Sequence, residues 1–252
     1  KLSELTLFQV IITSSTLLNK IMVEKVNGRD FFWNSIMKTA IILGSSGLVG
    51  AALLQQLIKD EAYSKIKILV RKPSEITHPK IEQITVDFKN IDSYQHLVTG
   101  DILFSCMGTT LKNAKSKTAQ YEVDYTYQYQ TAKAAAENGV NSYVLVSSIG
   151  ANAKSGNFYL KMKGELEEAV KALPFQQINI MRPGPLGGNR KEFRLVEALS
   201  FPIIKALNAI GLFKKYRIID VEIVAKAMIN SSKQNQNKCN VFESEEMFMI
   251  GA

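Results

Sequence analysis

The sequence has few residues of the kinds that build metal sites, disulfide frameworks and histidine-dependent active sites. Its 252 residues include two cysteines, Cys106 and Cys239, and two histidines, His78 and His96. The cysteines are far apart and follow neither a metal-binding nor a disulfide spacing. These shortages argue against a zinc site and against a Ser-His-Asp hydrolase, so we expect no metal. Because such cysteine usage is typical of a reducing compartment, we expect a cytoplasmic protein.

Long apolar runs and dense tracts of one charge are also missing. Residues 5–18 are mildly apolar, but polar residues interrupt them, and a membrane span needs about 20 apolar residues. There are 31 Lys and Arg against 23 Asp and Glu, a net charge of +8, and the basic residues are scattered. Scattered lysines are typical of a solvated surface. We expect a small-molecule substrate, no nucleic acid and no stable membrane insertion, and we leave open a homodimer or a protein partner.

The chain length suits one large domain, or one domain with a small lobe. Residues 1–36 do not share the pattern of the rest and are interpreted as an N-terminal extension, either an appended segment or an upstream misread of the start. They lack a strongly basic start and an A-x-A cleavage site, which argues against a signal peptide. We expect residues 37–252 to form a single nucleotide-binding domain, with a substrate lobe mainly at 184–217.

From residue 38 onward, short apolar runs alternate with longer stretches of helical periodicity. Runs rich in β-branched and aromatic residues predict strands at 39–43, 66–70, 84–86, 102–106, 143–147 and 177–181. Apolar residues at helical spacing predict helices at 48–59, 121–138 and 159–173. This alternation predicts an α/β protein with a Rossmann-like, doubly wound parallel sheet and a small C-terminal helical substrate lobe.

The strongest local signal is GSSGLVG, which follows the first predicted strand and opens the first predicted helix. Its three glycines permit a tight turn, close approach of the backbone to a diphosphate, and close packing of the helix on the sheet. The free N–H groups at the start of the helix then face the phosphates. The motif predicts a dinucleotide site. Its assigned residues are Gly44, Ser46, Gly47, Leu48, Val49 and Gly50.

The second predicted strand ends in two basic residues, Arg71 and Lys72. An NAD site usually carries an acidic residue here, which binds the ribose 2′-hydroxyl, whereas an arginine suits a 2′-phosphate. The sequence therefore favours NADP(H) over NAD(H).

The next two strand ends also carry candidate cofactor residues, because ligands bind at the carboxyl ends of such strands. We expect Asp87 and Phe88 to flank an adenine. Gly108 would let the backbone approach the cofactor, and Thr109 would hydrogen-bond phosphate or ribose. The assigned residues after the fourth strand are Cys106, Met107, Gly108 and Thr109. We interpret Cys106 as a small buried residue and not as a reactive thiol.

The fifth predicted strand ends in Ser147 and Ser148, and a helical segment with Tyr159 and Lys163 follows. Residues at i and i+4 share a helix face, so both heads can point into one pocket. A phenol with a pKa near 10 is a poor acid–base catalyst at neutral pH, and a nearby ammonium lowers that pKa. A serine hydroxyl opposite can bind the substrate oxygen. The order of these residues behind a phosphate loop favours hydride-transfer chemistry.

With these motifs placed, the chain resembles the short-chain dehydrogenase/reductase superfamily. More narrowly, it is similar to the atypical branch that includes the Tat-interacting oxidoreductase proteins and NmrA-like NAD(P)-binding proteins. The stretches that carry the resemblance are ILGSSGLVG, CMGTTLKNAKS, VDYTYQYQTAKAAAENGV, LVSSIGANAKSGNFYLKMKGELE and MRPGPLGGNR.

The resemblance implies an NADP(H)-dependent oxidoreductase that acts on a small carbonyl or alcohol, with Ser148, Tyr159 and Lys163 as catalytic positions. Ser147 is the alternative serine and is also assigned to the cofactor, as are Tyr159 and Lys163. The resemblance places Arg182, Pro183 and Gly184 beside the nicotinamide. Asp124 stands where many members carry asparagine, which questions a proton relay through this position. Some relatives are cofactor-sensing regulators, so a non-catalytic NADP(H)-binding sensor is the alternative function.

Overall fold

A computed structural model describes residues 37–187, 217–234 and 237–251. The sheet and helices belong to one compact unit, Lys38–Ala252. The predicted N-terminal extension and most of the predicted substrate lobe lie outside the described residues, so the domain division stays a prediction.

Seven parallel strands form the main sheet, in the order β3-β2-β1-β4-β5-β6-β9. A second sheet pairs β7 with β8. The strands are β1 Lys38–Leu43, β2 Tyr63–Val70, β3 Ile81–Thr85, β4 Ile102–Ser105, β5 Ser142–Val146, β6 Gln177–Arg182, β7 Leu186–Gly187, β8 Ile219–Asp220 and β9 Cys239–Glu243. The β-branched runs of the central strands are buried because helices cover both faces of the sheet.

The helices pack as two layers, one on each face of the sheet. They are α1 Leu48–Lys59, α2 Leu111–Ala114, α3 Lys117–Tyr121, a π-helix at Glu122–Thr126, α4 Tyr127–Glu137, α5 Phe158–Lys171, α6 Val221–Lys233 and α7 Ser244–Gly251. Apolar residues of α1, α6 and α7 share one core, and those of α4 and α5 share the other. The predicted doubly wound sheet is confirmed. Within the described ranges, no helix has the length and apolarity that crossing a membrane requires.

Several elements differ from the predicted ones, and strand β2 begins at Tyr63, three residues before its predicted start. The third strand begins at Ile81, because its pairing with β2 starts there, opposite Ile66. The single helix predicted at 121–138 consists of α3, the π-helix and α4 in succession. The last strand and helix, β9 and α7, were not predicted, because β9 is a partly exposed edge strand of mixed polarity.

Candidate cofactor and active site

The candidate site lies at the carboxyl edge of the sheet, where the strand order reverses between β1 and β4. The chain runs from β1 outward to β3 on one side, and then returns to β4 and continues outward on the other side. The loops after β1 and β4 therefore leave this edge in opposite directions and open a crevice for a ligand. The predicted site residues follow β1 to β6 at this edge or lie on α1 and α5, which start there.

The loop after β1 has the close contacts that its glycines predict. Gly44 has a φ of +89°, and a Cβ there would lie 2.7 Å from the Met107 nitrogen. A Cβ on Gly50 would overlap the Gly44 carbonyl oxygen, so this glycine lets α1 pack on the loop. No side chain caps α1, which begins after Gly47. Its first N–H groups are thus available to an anion, and the cradle fits a dinucleotide diphosphate.

Not every side chain assigned to the cofactor reaches the crevice. Arg71, Lys72 and Asp87 are exposed at the ends of their strands. The ring of Phe88, in contrast, is buried and lies 5.8 Å from the Tyr94 ring, centroid to centroid. This corrects the expectation that Phe88 flanks an adenine, because its ring belongs to the core and only its backbone is free for a ligand.

Two more assigned residues, Val49 and Cys106, have side chains turned away from solvent, so they would offer a ligand mainly their backbone. Val49 is buried in the core between α1 and the sheet. Cys106 is partly buried, and burial raises the pKa of its thiol to about 12. A thiol with so high a pKa carries little thiolate at neutral pH, which fits the interpretation of Cys106 as an unreactive residue.

The loop after β4 is tied to the π-helix through Asp124. The Thr109 N–H donates to Asp124 Oδ2 at 2.8 Å. A Cβ on Gly108 would lie 3.3 Å from Asp124 Oδ1, and Gly108 itself is exposed. The backbone at Gly108 is therefore bare on its solvent side and fixed by Asp124 on the other.

Helix α5 holds Tyr159 and Lys163 in place through two local features. Asn157 caps the helix by accepting hydrogen bonds from the Tyr159 N–H at 3.0 Å and the Leu160 N–H at 3.1 Å. A Cβ on Gly164 would overlap the Ala153 nitrogen, so only glycine lets the preceding loop lie directly on the helix. The K-G-E sequence thus combines the candidate lysine, Lys163, with a packing glycine.

The protonation of Tyr159 and Lys163 depends on a buried carboxylate. Lys163 Nζ lies 3.3 Å from Asp124 Oδ1, and both side chains are almost completely buried. Burial lowers the pKa of Lys163, but Asp124 and Tyr159 raise it more, so the result lies above the usual value. For the half-buried Tyr159, burial raises the pKa, Lys163 lowers it, Asp124 raises it and Ser148 lowers it; the net change is upward.

The two serines after β5 have different partners. The Ser147 hydroxyl donates to Glu167 Oε1 at 2.5 Å, whereas the Ser148 hydroxyl lies in reach of the Tyr159 phenol and helps to lower its pKa. Of the two serines, Ser148 is thus the one beside Tyr159.

The guanidinium of Arg182 is held by a carboxylate. It donates from Nε to Glu167 Oε1 at 2.9 Å and from Nη2 to Oε2 at 2.5 Å. Pro183 accepts from the Ile149 N–H through its carbonyl at 3.0 Å, and the Gly184 N–H donates to Ser244 Oγ at 2.9 Å. These bonds fix the segment after β6 beside the loop after β5.

Sequence reasoning missed Glu167 and saw Asp124 only as a departure from a family pattern. Glu167 follows Lys163 by four residues, so helical spacing alone could have drawn attention to it. Across the described ranges there is no group of three or more His, Cys, Asp or Glu side chains that could hold a metal ion.

Comparison with known proteins agrees with this geometry. Residues 44–196 match a family model described as NAD(P)H-binding. The chain is 36% identical over 207 residues to Protein FMP52-1, mitochondrial, of Scheffersomyces stipitis, covering 79% of this chain and 90% of that protein. It is 32% identical over 198 residues to Protein HTATIP2 of Rattus norvegicus, covering 77% of this chain and 81% of that protein.

The same fold occurs in a solved structure, the Bordetella bronchiseptica enzyme WbmH in complex with NAD+. The TM-score is 0.63 at 14% identity, covering 82% of this chain and 76% of that chain. At this identity the likeness concerns the fold alone.

The names of the FMP52 relatives overturn one expectation. Several of them, at 32–36% identity, are named mitochondrial proteins. The prediction of a cytoplasmic protein, which depended only on cysteine usage, is therefore wrong. Two unpaired cysteines indicate a reducing environment and do not identify the compartment. By its loop, its sheet and these relatives, the chain belongs to the NAD(P)H-binding family, in the atypical short-chain dehydrogenase/reductase branch that includes the FMP52 and HTATIP2 proteins.

Proposed function

We propose that the protein is an NADPH-dependent reductase of small carbonyl compounds, in which Tyr159 is the proton donor. The observation that carries the proposal is the grouping of Tyr159, Lys163 and Ser148 at the carboxyl edge of the sheet, where the glycine cradle lies. A phenol, an ammonium and a hydroxyl in one pocket are the groups needed to bind a carbonyl oxygen and give it a proton.

Each part of the site has a role in this reaction. The loop Gly44–Gly50 and the start of α1 bind the diphosphate, and the bare backbone at Gly108 lies along the cofactor. When bound, the cofactor supplies a hydride. Lys163 holds a ribose hydroxyl, Ser148 donates a hydrogen bond to the carbonyl oxygen, and the Tyr159 hydroxyl passes its proton to that oxygen. The carbonyl carbon gains the hydride and the oxygen gains the proton, which gives an alcohol.

The preference for NADPH is supported by the end of β2. Arg71 and Lys72 are exposed there, and neither forms an ion pair within the described residues. Two exposed cations at this strand end would attract a 2′-phosphate of a bound dinucleotide and gain nothing from a 2′-hydroxyl.

A mitochondrial location, carried over from the names of the FMP52 relatives, belongs to the same proposal. Fractionation of cells that express the full chain tests it. Recovery of the protein in the cytosolic fraction alone would contradict it.

The test of the reaction is a panel of small aldehydes and ketones, with NADPH oxidation as the readout. Tyr159→Phe should bind NADPH like the parent and lose about 10²- to 10⁴-fold in kcat, because the proton donor is gone. Tyr129→Phe is the matched control, since it removes a hydroxyl from a partly buried ring of α4. If Tyr159→Phe reduces the best substrate as fast as the parent, the proposal is wrong. Tight NADPH binding with no turnover on any carbonyl favours the non-catalytic sensor.

A further inference from the structure

Lys163 differs from an isolated lysine beside a tyrosine because a second buried charge faces it. Its ammonium lies 3.3 Å from Asp124 Oδ1, and the two side chains are 4% and 1% exposed. The other carboxylate oxygen accepts the Thr109 N–H at 2.8 Å. Both oxygens of Asp124 thus face donors, the arrangement that suits a carboxylate.

The Asp124–Lys163 pair has no net charge. If the proton shared by the two groups lies on Lys163 Nζ, a cation faces an anion; if it lies on Asp124 Oδ1, both groups are neutral. An ammonium lowers the pKa of a neighbouring phenol by favouring the phenolate, and the carboxylate that faces this ammonium raises that pKa and so offsets part of the effect. The Y-x-x-x-K spacing predicts an ammonium that acts on Tyr159 alone. In the structure, Asp124 faces this ammonium and weakens its effect on the pKa of Tyr159.

We propose that Asp124 is a positioning residue that neutralises Lys163, so that Tyr159 keeps its proton through the neutral range and the site is set to donate a proton to a carbonyl. This inference rests on the proposed reductase function and adds to it a role for Asp124. The asparagine common in the superfamily would keep the shape of Asp124 and remove its charge.

The other groups that face the phenol and the ammonium do not replace Asp124. Tyr159 interacts with Lys163 on its own helix, with Asp124 from the π-helix and with the neutral Ser148 from the loop after β5. Lys163 also lies near Glu167, but that carboxylate is occupied by Arg182 and Ser147.

The first test measures the ionisation of Tyr159 without catalysis. Ultraviolet difference titration of the full chain against its Tyr159→Phe variant isolates the Tyr159 phenolate from the other tyrosines. The same pair of titrations is then made in the Asp124→Asn background. We expect the Tyr159 midpoint to fall by about one pH unit or more when the carboxylate is removed.

The second test is the pH profile of carbonyl reduction. Activity that needs the protonated phenol falls as the pH rises through its pKa, so this limb should move to lower pH in Asp124→Asn by the same amount. A purely structural role would lower the plateau and leave the midpoint unchanged. Glu165→Gln is the matched control, because it removes a carboxylate from α5 that pairs with Lys161 near the surface. Its midpoint should equal that of the parent.

The outcomes separate this inference from the proposed function. A Tyr159 midpoint that stays or rises in Asp124→Asn overturns the inference, even if carbonyls are reduced. A lowered midpoint in a protein that reduces no carbonyl supports the neutralised pair and overturns the reductase.

A third measurement covers the case in which Asp124→Asn folds poorly. Lys163→Met alone leaves Asp124 without its cation, so the double variant Asp124→Asn/Lys163→Met should unfold at a higher temperature than Lys163→Met. An equal or lower unfolding temperature of the double variant would contradict the pairing.

Discussion

Glu167 is expected to be the acidic residue of α5 whose loss destabilises the protein most, and it also connects two strand ends of the site. Its side chain is 1% exposed. One oxygen accepts from the Ser147 hydroxyl and from Arg182 Nε, and the other accepts from Arg182 Nη2. Ser147 follows β5, and Arg182 ends β6. The carboxylate therefore fastens α5 to both strands at the edge where the cofactor would bind.

The cost of Glu167→Ala can be estimated from these partners. The buried Ser147 hydroxyl loses its acceptor, which costs about 1–3 kcal/mol. Arg182 loses a bidentate partner, and breaking such a buried ion pair costs about 3–5 kcal/mol more. Because the Arg182 side chain is 23% exposed and can turn to water, the lower end applies. From the lower ends of the two ranges together, we expect the free energy of unfolding to fall by about 4 kcal/mol. Glu167→Gln keeps an acceptor for Ser147 and should lose about half as much.

Urea denaturation of the full chain, followed by circular dichroism, measures these differences. Glu168→Ala is the matched control, because the next residue of α5 is exposed and should change the stability by about 0.5 kcal/mol or less. A loss in Glu167→Ala as small as that of the control would refute the reasoning, since it would mean that Arg182 and Ser147 find equivalent partners in water.

Two further predictions concern the cofactor and the pH dependence of stability. Arg71→Ala should weaken NADPH binding about tenfold and leave NADH binding unchanged, as measured by fluorescence titration, because only the 2′-phosphate uses the guanidinium; equal losses for both would contradict the NADPH preference. Lys233→Met removes the ion pair between Lys233 Nζ and Asp60 Oδ2, 2.6 Å apart, which joins α6 to the end of α1. Burial raises the pKa of Asp60, but Lys233 and the Ala62 N–H lower it more, so its folded pKa lies below the usual value. The pair therefore stabilises the fold above the unfolded pKa of Asp60, by about 0.5 kcal/mol, and this contribution disappears as the pH falls through the folded pKa. Denaturation at neutral and at strongly acidic pH checks this, and a difference of equal size at both would argue against the pair.

The elements predicted best from the sequence are those set by neighbouring residues. Helix α1 matches its predicted bounds, because the glycine loop fixes its start and its apolar periodicity is regular. Helix α4 closes as predicted, with Gly139 at a φ of +79°. The helix with Tyr159 and Lys163 begins one residue earlier than predicted, at the Asn157 cap.

The features that were missed depend on contacts between distant residues. Strand β9 joins the sheet only because β6 offers a free edge, and its own sequence has little strand pattern. The π-helix at Glu122–Thr126 buries the polar Asp124, and no apolar periodicity of its own distinguishes it from the helices on either side. The partner of Glu167 lies 15 residues further along the chain, in the next strand. No local periodicity predicts such a pair.

The π-helix connects these missed features to the chemistry. Its wider turn contains Asp124, and the Asp124 carbonyl accepts from Gln128 Nε2 at 2.7 Å, while Gln128 Oε1 accepts from the Ser105 hydroxyl at 2.7 Å. This chain of bonds runs from the end of β4 to Asp124 and holds its backbone in place. Helix α5 thus meets one buried carboxylate from the π-helix and carries another itself.

The two carboxylates divide the cations of the site between them: Asp124 faces Lys163, and Glu167 holds Arg182. With both cations paired, little net positive charge remains near the phenol of Tyr159. Burial then decides its protonation, and burial favours the neutral hydroxyl. A tyrosine in these surroundings is a better proton donor than proton acceptor at neutral pH. The position of the two carboxylates therefore supports the role of proton donor that we propose for Tyr159.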